Sequence, residues 1–172
     1  NYLEKLWYYG SLERSAWLDS HIIGNPFGAV NQLTVVHETG TDDGSVNPAA
    51  PIAAYIESAD FDLGDGGYQF SFVRRVIPDM DFIGSSNANP QATITLKARN
   101  YPGQGVAGLS TMQNSTVPIT SAEVSTQVYN YTQEVWVRLR GRQLVFRVES
   151  DQLGLRWQLG SPRLQIQPDG RR

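Results

Sequence analysis

The sequence predicts an all-β fold, an antiparallel β-sandwich-like module, from three observations. Apolar residues recur at every second position in successive runs, as where Ala92, Ile94, Leu96 and Ala98 alternate with Thr93, Thr95, Lys97 and Arg99. That period turns one face of an extended strand to a core and the other to solvent. The runs are short and end in clusters of Gly, Pro, Asn and Ser, such as Gly24 to Gly28 and Gly160-Ser161-Pro162, which supply the turns that strands of this length need. No stretch repeats its apolar residues with a helical period, so nothing in the chain competes with the strand reading.

Taken in order, Leu6 to Gly10 and Ala16 to Leu18 read as two aromatic strands beside a polar break at Glu13-Arg14, because Gly10 interrupts any helical repeat. Residues 21–31 read as a loop on Gly24, Asn25-Pro26 and Gly28, and 33–37 as a short strand. Residues 38–51 are an exposed connection with Asp42-Asp43-Gly44 at its tip. From 52 to 58 a strand places Ile52, Ala54 and Ile56 on one face, and a central position in a sheet is expected for it. The strand over 68–76 sets Tyr68, Phe70 and Phe72 on one side and ends at Arg74-Arg75, ahead of Ile77-Pro78. After the half-buried strand at 92–99, Tyr101-Pro102-Gly103 stops the chain. Residues up to about 121 are too many for a tight turn and are expected to dock on a neighbour. Strand character resumes over 124–131.

The C-terminal stretch from residue 134 organises the rest. Paired about Gly141-Arg142 as a two-residue hairpin, it sets Leu139 against Leu144, Val137 against Phe146 and Val135 against Val148 on one side. The other side sets Arg140 against Gln143, Arg138 against Val145 and Trp136 against Arg147 as an arginine face, with Arg142 nearby in the turn. Leu155, Trp157 and Leu159, then Leu164 and Ile166, continue the alternation, with Arg163, Gln165 and Gln167 outside.

The runs RLRGRQLVFRVES, WQLGSPRLQIQPDGRR and DFDLGDGGYQFSFVRRVIPDMDF, with the segment from Tyr9 to Arg14, resemble the C-terminal part of the tail nozzle, or packaged-DNA stabilisation, proteins of short-tailed bacteriophages. The resemblance covers most of the chain but carries no motif with a catalytic mechanism. It implies a virion protein of the tail, ringed with identical subunits as a hexamer, in contact with other tail or portal proteins, with DNA passing through its channel and no membrane. It also implies a β-propeller upstream, of which residues 1–51 would be the end, while the strand pattern itself sets the sandwich-like module over 52–172. The chain begins at Asn1, which reads as a piece of a longer protein.

Composition bounds the chemistry. With 40% hydrophobic and 18% charged residues the chain has the material for a core, and no apolar run nears the roughly 20 residues of a spanning helix. No Cys is present, which removes disulfides, thiolate metal sites and thiol catalysis. No cofactor and no catalytic residue are assigned: His37-Glu38 lacks the second His of a zinc-protease helix, and no phosphate loop or nucleophile elbow occurs. The acidic turn from Asp60 to Gly67 has Gly64 where a third calcium ligand belongs and Ser71 at the twelfth position, so no metal is assigned to it. Asp79 and Asp81, two apart on an extended chain, point the same way and do not face each other across a sugar.

The net charge of −3 conceals a split. From residue 134 onward eight Arg face four carboxylates, for +4, while the preceding 133 residues hold six basic and thirteen acidic groups, for −7. Such a split suits head-to-tail contact of identical copies. Arg138, Arg140, Arg142 and Arg147 are therefore the candidate residues for subunit contact, with DNA contact as the other use of the guanidinium fork. A strongly attractive basic wall would hold DNA that has to slide, which favours the subunit use. The alternative function is a carbohydrate-binding or glycan-hydrolysing β-domain, with Trp7, Trp17 or Trp136 as stacking platforms.

Overall fold

The computed structural model describes residues 5, 13–19, 22, 24–64, 66–101 and 122–170. All its regular structure is β, in antiparallel pairs, and no sheet closes into a barrel. The chain divides into two compact units, Asn1–Ala50 and Pro51–Arg172.

In the first unit, β1 (Ala16–Leu18), β2 (Phe27–Val30) and β3 (Leu33–Val36) form a three-stranded sheet in chain order. The partner expected for β1 at residues 6–10, and Trp7 within it, lies outside the described residues. The loop expected over 21–31 contains β2, because Gly28 acts there as a strand residue. A Cβ on it would lie 2.8 Å from the Arg14 side chain and 2.9 Å from His37 Nε2, so its bare backbone lets those side chains pass over the strand. Asn31 and Gln32 link β2 to β3 with φ of 47° and 65°, the left-handed pair of a two-residue hairpin whose twist matches the strands. At the end of the unit, β4 (Asp42–Asp43) pairs with β5 (Ala50–Pro51), so the two aspartates stand in a ribbon and not at a loop tip. Asp43 accepts hydrogen bonds from the Ser45 hydroxyl at 2.6 Å and amide at 2.9 Å, which hold its carboxyl below the usual range.

The second unit is sandwich-like. One sheet runs β11 (Glu123–Tyr129), β10 (Gln91–Arg99), β13 (Gln143–Ser150), β6 (Ala54–Glu57), with β7 (Phe61–Asp62) also on β13. The other runs β12 (Val135–Gly141), β8 (Ser71–Ile77), β15 (Arg163–Pro168). A two-residue ribbon joins β9 (Met80–Asp81) to β14 (Gln158–Leu159). The core lies between the sheets, with Ile94, Leu96, Leu144 and Val148 from one and Val73, Val76, Val137 and Leu139 from the other.

The expected hairpin about Gly141-Arg142 is not formed. β12 pairs with β8 and β13 with β10, so the chain crosses from one sheet to the other at Arg142. Both backbone groups of that residue are taken up at the crossing: its N–H donates to the Arg99 carbonyl at 2.8 Å, and its carbonyl accepts from the Leu63 N–H at 2.7 Å. A corner whose polar backbone is satisfied is as stable an exit as a hairpin turn. Val137, Leu139, Leu144 and Val148 still reach the core, though from opposite sheets.

Three further expectations are corrected. The strand at 52–58 is an edge and not central, since among the described residues β6 pairs only with β13 and is exposed along its length. The strand at 68–76 begins at Ser71 and continues through Arg74-Arg75, and its core side carries Ser71 and Val73, while Phe72 lies on the outer side. Gln165 pairs with Arg75 but Ile166 with Val73, so Arg74 is an extra residue, and this bulge is what brings Val76 back to the core three positions after Val73. The alternation over 155–159 yields only the two residues of β14, although Leu155 is buried, whereas that around Leu164 and Ile166 is the strand β15. Residues 102–121 lie outside the described residues.

Candidate functional site

Because β12 and β13 lie in different sheets, the arginines do not share one face. Arg138 and Arg140 stand on the outer side of the β12-β8-β15 sheet, Arg147 on the outer side of the other sheet, and Arg142 at the crossing. The charge split along the chain is likewise not a split in space: β8, from the acidic part of the sequence, sits between β12 and β15 from the basic part, and β13 pairs with β10 and β6.

Most of these arginines are matched within the chain. Arg147 donates to Glu149 at 2.7 and 2.9 Å and to Glu57 at 3.1 Å, and its guanidinium lies 4.3 Å over the Tyr55 ring. Arg140 donates through Nε to the Asp169 carboxylate and through Nη2 to the Asp169 carbonyl at 3.3 Å. Arg140 and Arg142 both lie over Phe70, 4.0 and 4.8 Å from the ring centre. Arg138 is exposed, and among the described residues it makes no hydrogen bond or ion pair.

The Glu57 group has a testable consequence. The Arg147 hydrogen bond, followed by the charge and hydrogen bond of Lys97 at 3.4 Å, outweighs the cost of partial burial and holds its carboxyl below the ordinary value of 4.5. A depressed carboxyl stabilises the fold above its unfolded pKa, and that contribution is lost as pH falls through the folded value. Urea midpoints should therefore show Glu57→Gln less stable than the parent at neutral pH, by under about 1 kcal/mol for a pair this open to solvent. The gap should close as pH falls through the lowered carboxyl's titration, below the ordinary value of 4.5. A gap independent of pH would assign the loss to packing.

One arginine outside the four sequence candidates stands with Arg138. Arg74, the bulge residue of β8, is exposed and makes no hydrogen bond or ion pair among the described residues, like Arg138. The signal in the sequence is Arg74-Arg75 itself, two like residues that separate the apolar Val73 and Val76 by three positions where strict alternation would separate them by two or four. Opposite it, β12 carries its own irregularity between Trp136 and Leu139. Here a cleft of about 910 Å³ opens, lined by Phe72, Arg74, Val124, Trp136, Val137, Arg138 and Gln167. Trp136 is 62% exposed, with Arg75 5.5 Å from its ring centre and its Nε1 donating to Glu134 at 3.1 Å.

The remaining candidates have structural positions. Trp17 packs on His37 with ring centres 4.5 Å apart, and His37 Nε2 accepts from Arg14 at 2.9 Å. Asp79 accepts from the Ser161 amide at 2.6 Å and Asp81 from the Ile83 amide at 2.8 Å, so each carboxylate fastens a turn. In the acidic turn, Asp60 pairs with Arg99 at 3.0 Å and Asp62 accepts from Gln143 at 2.8 Å. Among the described residues no three His, Asp or Glu stand together as metal ligands, and no helix is long and apolar enough to cross a membrane. No protein-family model matches the chain, and no curated protein matches its sequence.

Proposed function

We propose that this chain is a structural subunit of a phage tail nozzle, a non-enzymatic virion protein that rings with copies of itself, extends the DNA channel and retains packaged DNA. The residue strings around β8, β12, β13 and β15 support the reading through their resemblance to that family, and one structural observation carries it. Among the described residues the margin formed by β6 is an open strand edge with large apolar side chains in solvent: Tyr55 is 55% exposed and Ile56 52%, with Ile52 just ahead of the strand at 47%. Edge strands with such side chains are aggregation hazards unless another surface covers them, and a ring of identical subunits supplies that surface.

Ile56→Lys tests this. In the full-length protein it is expected to reduce rings to monomers by light scattering while leaving the circular dichroism of the subunit unchanged, since a solvent-facing side chain contributes little to the fold. Full-size rings from the variant would remove β6 from the interface. Failure of the unaltered full-length protein to form rings at all would remove the nozzle reading. The carbohydrate-binding alternative rests on Trp136, the exposed indole beside the cleft, and a monomer that binds a neutral glycan through Trp136 would establish it.

A further inference from the structure

The arginines of β8, β10, β12 and β13 fall into two groups. Arg75, Arg99, Arg140 and Arg147 each meet a carboxylate of their own chain. Arg74 and Arg138 meet none among the described residues, and the cleft they flank has no acidic residue in its lining. Its walls are otherwise apolar or uncharged: Phe72, Val124, Val137 and Trp136, with Gln167. The cleft also borders β12, which pairs with β8 on one side and with no described strand on the other.

These features together specify one kind of occupant. A free strand edge offers N–H and C=O groups to an extended backbone, the apolar walls receive alternate side chains, and two uncompensated guanidiniums receive carboxylates. We propose that the cleft beside the β12 irregularity, flanked by Arg74 and Arg138, binds an extended segment of a partner protein in which apolar and acidic residues alternate. The segment at 102–121 of this chain holds no Asp or Glu, so its own sequence cannot supply the carboxylates. Nucleic acid is the weaker occupant: the chain carries a net charge of −3, which repels a polyanion, and the cleft offers a single indole where single-stranded nucleic acid needs a succession of stacking faces. The site is independent of the nozzle reading, because it lies on β12 and makes no use of the β6 edge.

The test is fluorescence anisotropy with three labelled probes: a short peptide of alternating Glu and Val, the same peptide with Lys for Glu, and oligothymidylate. Saturable binding of the Glu-Val peptide alone is expected, weakening as salt rises. Arg74→Ala with Arg138→Ala should weaken it about tenfold, the effect of two partly exposed charge pairs. Should that variant fail to fold by circular dichroism, Arg74→Lys with Arg138→Lys keeps the charge and loses the planar fork, and is expected to bind more weakly than the parent. Absence of saturable Glu-Val binding overturns the proposal, as does affinity unchanged in the folded double variant. Tighter, arginine-dependent binding of oligothymidylate overturns it in favour of nucleic acid.

Discussion

Gly141→Val is expected to destabilise the protein by about 3 kcal/mol, through overpacking where the chain passes between sheets. Gly141 does not have a positive φ; it is glycine because of what lies beside it. A Cβ there would sit 2.8 Å from the Ala98 Cβ, 3.0 Å from the Arg99 carbonyl oxygen and 3.2 Å from the Arg99 nitrogen. Two of those three atoms are backbone of β10, which is hydrogen-bonded on both sides to β11 and β13 and has little freedom to withdraw. The crossing cannot move either, since the next residue binds Arg99 and Leu63 through its backbone. The two causes predict different series in urea denaturation. If a left-handed backbone were the reason for glycine, Asn would be tolerated better than Ala. Steric approach predicts Ala least harmful, Asn worse and Val worst, and an Asn variant more stable than the Ala variant would overturn it.

The same position shows what alternation conveys and what it omits. The period of two assigned faces correctly for Val137, Leu139, Leu144 and Val148, all of which are buried. It left the partners of those strands open, because a hairpin within one sheet and a crossing between two facing sheets bury the same residues. Turn chemistry did not arbitrate, since a Gly-Arg pair is compatible with a two-residue turn and Gly141 is required for a close approach that only tertiary structure reveals. The arginines inherited this ambiguity: one ribbon would have gathered Arg138, Arg140 and Arg147, and two sheets divide them. The strand at β8 failed for a different reason. One extra residue at Arg74 reverses the faces on either side of it, so a strict period of two through Ser71 and Val73 does not place Val76, which is buried with them. Whether a strand is central or an edge is also absent from its own pattern: Ile52, Ala54 and Ile56 alternate as a core strand would, and β6 is exposed along its length.

Leu144→Ala is expected to produce the largest loss of all, about 2 to 5 kcal/mol by urea denaturation, whereas Ile166→Ala should cost under about 1 kcal/mol. Both residues occupy apolar positions of an alternating run, and by that pattern they are equivalent. Leu144 is 0% exposed in β13, a strand flanked by β10 on one side and by β6 and β7 on the other. Removal of its isobutyl group leaves a void that neighbours held in sheet hydrogen bonds cannot close. Ile166 is 37% exposed on the edge strand β15, opposite Val73 beside the bulge, where water already reaches it. The spread between the two variants measures how far burial in this fold departs from pattern alone. Equal losses at the two sites would mean that β15 is buried more deeply than the structure places it, or that β13 is not the central strand on which both the core and the crossing at Arg142 depend.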